Sequence, residues 1–264
     1  MNAAAAVTTS LKLKQDEQQM AMQFAHFHAM DFLPRNGKSL KNYFEPYDIV
    51  YIYTSTGIEA VKPTGERYKY HPGTAMFRYK RWIAGEQEPL LRALNLVKGD
   101  SFLDCTIGFG ADALMASVDL GDSGIIVGLE KSEVLAFLMK VSQQFTNFES
   151  EELQQAFRRI EIVQQDAVDY LRNQPDNSFD IVYMDPLFET AIEESTNFTT
   201  HKQFAVRDQL TEEWVREAIR VCRKRAVIKA HYTSELFEKY GFHQLKRKSA
   251  KFHFGVRNKK DLCE

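Results

Sequence analysis

The order of apolar and helical runs predicts an α/β fold, a doubly wound and mostly parallel seven-stranded sheet preceded by a small α/β N-terminal portion. Two observations carry that expectation. From Ser101 onward, short β-rich runs alternate with helix-patterned stretches, the succession that builds a parallel sheet with helices on both faces. The first run, "SFLDC", opens into "DCTIGFGADA", a glycine-bearing turn of the kind that joins the first strand to the first helix of such a sheet. With 264 residues, 44% of them hydrophobic, the chain can bury a sizeable core.

Taken in order, residues 14 to 32 repeat apolar side chains at three- and four-residue steps and predict a helix, and "YDIVYIYT" and "GIEAVK" predict two short strands. These make up the front portion, residues 1–80. Residues 81–264 form the main domain, with a helix at 85–96 and then strand and helix in turn. The strands are "SFLDC", "GIIVGLE", "IEIVQQD", "FDIVYMD" and "RAVIKA". The helices between and after them start at Asp112 and Ser132 and run through "AVDYLRN", residues 211–222 and "SELFEKY". "FHQLKRK" and "AKFHFGVRN" close the domain as a hairpin.

Composition excludes several classes of protein. Cys105, Cys222 and Cys263 are far apart with no CxxC pair, which argues against a disulfide framework or a zinc site, and His26 and His28 point different ways on their helix. No run reaches the ~18 apolar residues of a membrane span, so the chain reads as cytoplasmic with no membrane partner. A net charge of -2 argues against a globally basic nucleic-acid binder while allowing local basic patches.

Asp104, Gly108, Gly110, Ala111 and Asp112 form the first turn. Two glycines allow close backbone approach, but a dinucleotide site would want a third and would lay pyrophosphate on the helix N-terminus, where Asp112 would repel it. A carboxylate there suits a cationic cofactor, and S-adenosylmethionine carries a sulfonium. Asp112 as a plain helix-capping residue is the other reading. Glu130, followed by Lys131, ends the second strand, where an acid can take ribose hydroxyls. Asp166 with Ala167 ends the third, where the acid can bond an adenine amine, cap the next helix, or both. In "FDIVYMDPLFE" a buried strand opens into Asp185, Pro186 and Phe188. Asp185 and the Pro186 carbonyl can accept the hydrogens of an exocyclic amine, with Phe188 stacked on its ring. A strand-ending turn with a core Phe is the alternative.

Taken together and in order, "DCTIGFGADA", "GLEKS", "QQDAV", "DPLF", "AVIKAHY" and "AKFHFGV" resemble the motifs of class I S-adenosylmethionine-dependent methyltransferases. They are most similar to those of the RsmJ-like ribosomal RNA guanine-N2 methyltransferases, from about His71 to Arg257. The resemblance implies the Rossmann-like methyltransferase sheet with an antiparallel last strand. It also implies cofactor binding at Ala111, Asp112, Glu130, Lys131, Asp166, Ala167 and Asp185. One departure is Glu189, Glu193 and Glu194, where the family carries a proline and basic residues; this acidic run would repel phosphates.

RNA contact is expected at two places. Residues 62–82 interleave Lys62, Arg67, Lys69, Arg78, Lys80 and Arg81 with Tyr68, Tyr70, Phe77, Tyr79 and Trp82, and the tail carries Lys246, Arg247, Lys248, Lys251, Arg257, Lys259 and Lys260. The long 188–209 connection suits a lid. The leading expectation is methylation of a guanine N2 amine in RNA, probed by a role for Asp185. A protein amide or small amine as acceptor, an RNA-binding factor without turnover, and a dinucleotide oxidoreductase are the rivals.

Overall fold

The structure, a computed structural model, describes residues 4–11, 15–186, 204 and 209–262. Phe188, the acidic run at Glu189, Glu193 and Glu194, Cys263 and most of the 188–209 connection lie outside the described residues.

Along the chain the elements are β1 (Ala5–Thr9), α1 (Gln15–Phe27), β2 (Asp31–Phe32), β3 (Ile49–Thr54), β4 (Gly57–Val61), β5 (Arg67–Lys69), α2 (Ala75–Ile83) and α3 (Pro89–Leu94). They continue with β6 (Ser101–Asp104), α4 (Ala111–Leu120), β7 (Ile125–Glu130), α5 (Glu133–Phe145), α6 (Glu151–Arg159), β8 (Glu161–Gln164), α7 (Ala167–Arg172) and β9 (Phe179–Met184). The last are α8 (Glu212–Val221), β10 (Cys222–His231), α9 (Leu236–Lys239), β11 (His243–Leu245) and β12 (Phe252–Asn258).

The chain folds as two compact units. Among the described residues, one holds residues 4–11, 15–71, 133–147 and 204; the other holds residues 72–132, 148–186 and 209–262. The first unit carries a five-stranded sheet in the order β2-β1-β3-β4-β5, with β1 parallel to β2 and β3, and with β3, β4 and β5 antiparallel in turn. The two strands expected within 47–62 are present and pair with each other as a hairpin, and "AAVTT", not foreseen as a strand, enters the sheet beside them. Crossover helix α5 belongs to this unit and packs on β4, with Phe137 against Tyr51 and Phe24, and Phe145 against Tyr53.

The second unit carries a seven-stranded sheet in the order β11-β12-β10-β9-β6-β7-β8. Strands β10, β9, β6, β7 and β8 are parallel, and β12 runs antiparallel between β10 and β11, giving the expected terminal hairpin. Because strand side chains alternate faces, Leu103, Val127, Val182, Met184 and Ile228 share one buried cluster with Trp214, Val215 and Ala218 of α8 and with Phe237. Each such side chain contributes roughly 1.5–3 kcal/mol by leaving water.

Two helices escaped the sequence reading. Residues 75–83, expected as an RNA-facing tract, form α2 with Ala75 and Tyr79 buried. The other, α6, is capped by Ser150, whose Oγ accepts the Leu153 N–H. The chain crosses from one side of β6 to the other between β8 and β9, so the sheet switches direction at the β6/β9 pair. That is where ligands collect in such folds.

Candidate active site

The site is built on the carboxyl ends of β6 and β9. After Asp104 the chain turns through Gly108 and Gly110, both with positive φ (51° and 70°), conformations a side chain would strain. Gly110 N–H closes the turn on the Ile107 carbonyl at 2.6 Å, and its own carbonyl accepts from Leu114 to start α4. Ile107 lies over β7, which allows it only because position 128 is glycine: a Cβ there would meet Ile107 Cγ1 at 2.8 Å.

A hydrogen-bonded thread ties this turn to the Asp-Pro motif of β9. The Thr106 N–H donates to Asp104 Oδ1 at 2.9 Å, and the Asp185 N–H donates to Thr106 Oγ1 at 2.8 Å. Asp104 is 1% exposed and its Oδ2 has no hydrogen-bond partner among the described residues. Burial pushes its carboxyl well above the usual range, reinforced by Asp112 and Asp185.

Asp112, in the first turn of α4, is fully engaged. Its Oδ1 accepts from Arg78 Nη1 at 2.5 Å, and its Oδ2 accepts from Tyr183 Oη at 2.7 Å and from Lys229 Nζ at 3.2 Å. Lys229 Nζ also donates to Asp185 Oδ2 at 2.7 Å, while Arg78 Nη2 donates to Glu88 at 2.8 Å. Burial raises Asp112, but Lys229 and Arg78 outweigh it and hold the carboxyl well below the usual range. For Asp185, burial prevails over Lys229, and with Asp112 beside it the carboxyl is raised. Lys229 would be lowered by burial, yet the two carboxylates hold it above the ordinary ammonium range. Burial, then the neighbouring carboxylates, push the Tyr183 hydroxyl well up.

Of the residues expected from sequence, Asp104, Gly108, Gly110, Ala111, Asp112, Asp185 and Pro186 thus meet at one point of the sheet. Glu130, Lys131, Asp166 and Ala167 form a neighbouring group at the ends of β7 and β8. The Glu130 carboxylate accepts the Ser132 N–H at 2.8 Å, and Lys131 pairs with Asp166 at 2.8 Å. Asp166 caps α7 by accepting from Val168 and Asp169, so its capping reading holds. Burial raises the Asp166 carboxyl, but Lys131 and the cap amides prevail and lower it.

Sequence reading missed Arg78, Glu88, Thr106, Tyr183 and Lys229 as members of the site. Arg78 is a correction: expected among phosphate-binding cations, it is turned inward because two carboxylates claim its guanidinium. Tyr68, Tyr70 and Tyr79 of the same tract are buried, not free to stack on bases. Lys229 had a signal, since a lysine inside the apolar strand "RAVIKA" must find a partner.

The sequence matches the family described as "Putative SAM-dependent methyltransferase" over residues 64–256. The chain belongs to the SAM-dependent methyltransferase family. Among its relatives, YpiP of Bacillus subtilis is 37% identical over 251 residues, 95% of this chain and 98% of that one. Ribosomal RNA small subunit methyltransferase J of Hydrogenovibrio crunogenus is 26% identical over 158 residues, 57% of this chain and 55% of that one. The chain thus spans about half the length of that relative. The crystal structure of the SAM-dependent methyltransferase NGO1261 from Neisseria gonorrhoeae superimposes with a TM-score of 0.60 at 14% identity, over 96% of this chain and 95% of that one. This likeness concerns the fold.

The methyltransferase is an S-adenosylmethionine enzyme, and its residues fit that cofactor by charge. Four carboxyl groups, of Glu88, Asp104, Asp112 and Asp185, gather here with two cations, Arg78 and Lys229, and this acidic balance suits a cationic ligand. The cofactor supplies an electrophilic methyl group on its sulfonium. The turn at Gly108 and Gly110, the orphaned Asp104 Oδ2 and the Glu130 group are the residues that would hold it. Asp112, beside which the sequence allows a cationic cofactor, accepts from Arg78, Lys229 and Tyr183.

Proposed function

We propose that the enzyme methylates the exocyclic N2 amine of a guanine in RNA, with ribosomal RNA as the favoured substrate. The observation that carries this reading is the clamp on Asp185. Its N–H is tied to Thr106 of the cofactor turn and its carboxylate to Lys229, so the Asp185 carboxylate is held as an acceptor at the sheet switch, with the Pro186 carbonyl next to it in sequence. An aromatic amine is a weak nucleophile because its lone pair is delocalised into the ring. Accepting its two hydrogens turns the nitrogen for attack, and Asp185 can take the proton released as the nitrogen gains its methyl group. Phe188, outside the described residues, is the candidate stacking partner for the base.

Two further facts support RNA. The relatives matched over part of the chain include several ribosomal RNA small subunit methyltransferases J. The β11–β12 loop also carries Lys246, Arg247 and Lys248, all exposed, at the sheet edge where β10 ends, since His231 pairs with Phe252. Tyr232, half exposed beside His231, supplies an aromatic face there. By contrast Arg257 and Lys259 are spent on backbone carbonyls. The test is mass spectrometry of nucleosides from ribosomal RNA of cells with and without the protein, together with transfer by the purified enzyme. A methylated guanosine should vanish in its absence and return with the wild type but not with Asp185→Ala. Label from the cofactor appearing only in protein would sink the RNA reading.

A further inference from the structure

Three carboxyl groups, the buried Asp104 and the partly exposed Asp112 and Asp185, converge at the sheet switch, and the Lys229 ammonium is shared between the last two, at 3.2 and 2.7 Å. We propose that Lys229 is a positioning residue for methyl transfer: its ammonium keeps Asp185 ionised and aimed, so that Asp185 accepts a hydrogen bond from the substrate amine instead of donating one. The proposal rests on the reading of Asp185 given above.

The neighbours of Asp185 leave this task to Lys229. From α4 comes Asp112 and from β6 comes Asp104, both acids. From β9, Tyr183 spends its hydroxyl on Asp112. From α2, Arg78 is divided between Asp112 and Glu88 at the start of α3. Lys229, from β10, is the one cation among the described residues that forms an ion pair with Asp185. Take it away, and burial and Asp112 both favour a proton on Asp185. The resulting carboxylic acid would present an O–H to an amine that itself offers hydrogens, and the orientation of the nucleophile would be lost. A purely structural ion pair would instead cost stability without changing which pH the enzyme needs.

The first measurement uses no acceptor, so it judges the hold of Lys229 on Asp185 whether or not RNA is the substrate, and the rate profile then separates positioning from a purely structural pair. Protein labelled with 13C at aspartate is titrated by NMR, with the Asp185 carboxyl assigned through Asp185→Asn, in wild type, Lys229→Met and Lys229→Arg. The Asp185 titration should move up by at least about one pH unit in Lys229→Met and return in Lys229→Arg. Lys229→Gln, which keeps length and a donor without the charge, should behave like Met and stands in should Met not fold. With a methylated acceptor in hand, the acid limb of the rate profile should shift upward by the same amount, while S-adenosylhomocysteine affinity changes less than about threefold. An Asp185 titration identical in wild type and in a folded Lys229→Met or Lys229→Gln protein overturns the proposal, as does lost activity with an unmoved acid limb.

Discussion

Gly128 shows how much of the site depends on an atom that is absent. Ile107 sits over β7 in the space a side chain at 128 would take, with its Cγ1 2.8 Å and its Cβ 3.1 Å from where a Cβ would fall. Gly128→Ala should therefore push Ile107 and the adjoining glycine turn outward. Overpacking of this kind costs about 1–3 kcal/mol, so a lower melting temperature and weaker S-adenosylhomocysteine binding by calorimetry are expected. Unchanged binding would mean the turn does not depend on Ile107. Asp104, Asp112 and Asp185 were legible in the sequence because each stands at a strand end or in the glycine turn, where few other roles compete; Glu88, ahead of a short helix, was not. Arg78 and Lys229 were not, since one lies 34 residues before Asp112 and the other 117 after it, and only the fold brings them to one carboxylate.

Strand placement has its own polar device at the opposite end of β6. Asp180, 5% exposed at the start of β9, accepts from both the N–H and the Oγ of Ser101 and pairs with Arg223 and Lys224 of β10. It pins three neighbouring strands at one point. Burial raises its carboxyl, but the Ser101 bonds and then Lys224 and Arg223 outweigh that and lower it. A carboxyl lower in the folded state contributes stability above its unfolded value of about 4. That contribution is lost as pH falls through the folded value. Asp180→Ala should therefore destabilise the protein at neutral pH by about 2 kcal/mol through the stranded Ser101 amide, and the gap to wild type should close under acid conditions in urea titrations. At this scale the sheet was readable because its strands are short apolar runs punctuated by Gly, Asp and Pro. Helix α2 was not, because "AMFRYKRWI" mixes cations and aromatics without a clean apolar stripe. Its burial rests on Ala75 and Tyr79, the latter held by Ser150 and Glu152. Helix α6 carried a readable signal, the Ser150 cap ahead of two glutamates.

For the molecule as a whole, a ligand that binds the folded state alone stabilises it by mass action, by roughly 2.7 kcal/mol at a hundred times its dissociation constant. S-adenosylhomocysteine should accordingly raise the melting temperature, and NAD, whose pyrophosphate meets Asp112 at the start of α4, should leave it unchanged. A shift with NAD alone would contradict the charge argument for the site. The sequence division at about residue 80 followed the helix and strand runs of the front portion; residues 72–132 group with the large sheet and 133–147 with the small one.

That grouping has a consequence for anyone dissecting the protein. The stretch linking β7 to β8 contains α5, whose Phe137 and Phe145 are sheltered by Phe24, Tyr51 and Tyr53 from far upstream. Trimming the gene to codon 72 would leave that helix in the product while discarding its aromatic cover. Such a fragment should self-associate and bind hydrophobic dyes, as sedimentation and fluorescence would reveal. A monodisperse, cofactor-binding fragment would mean the catalytic sheet is a portable module after all.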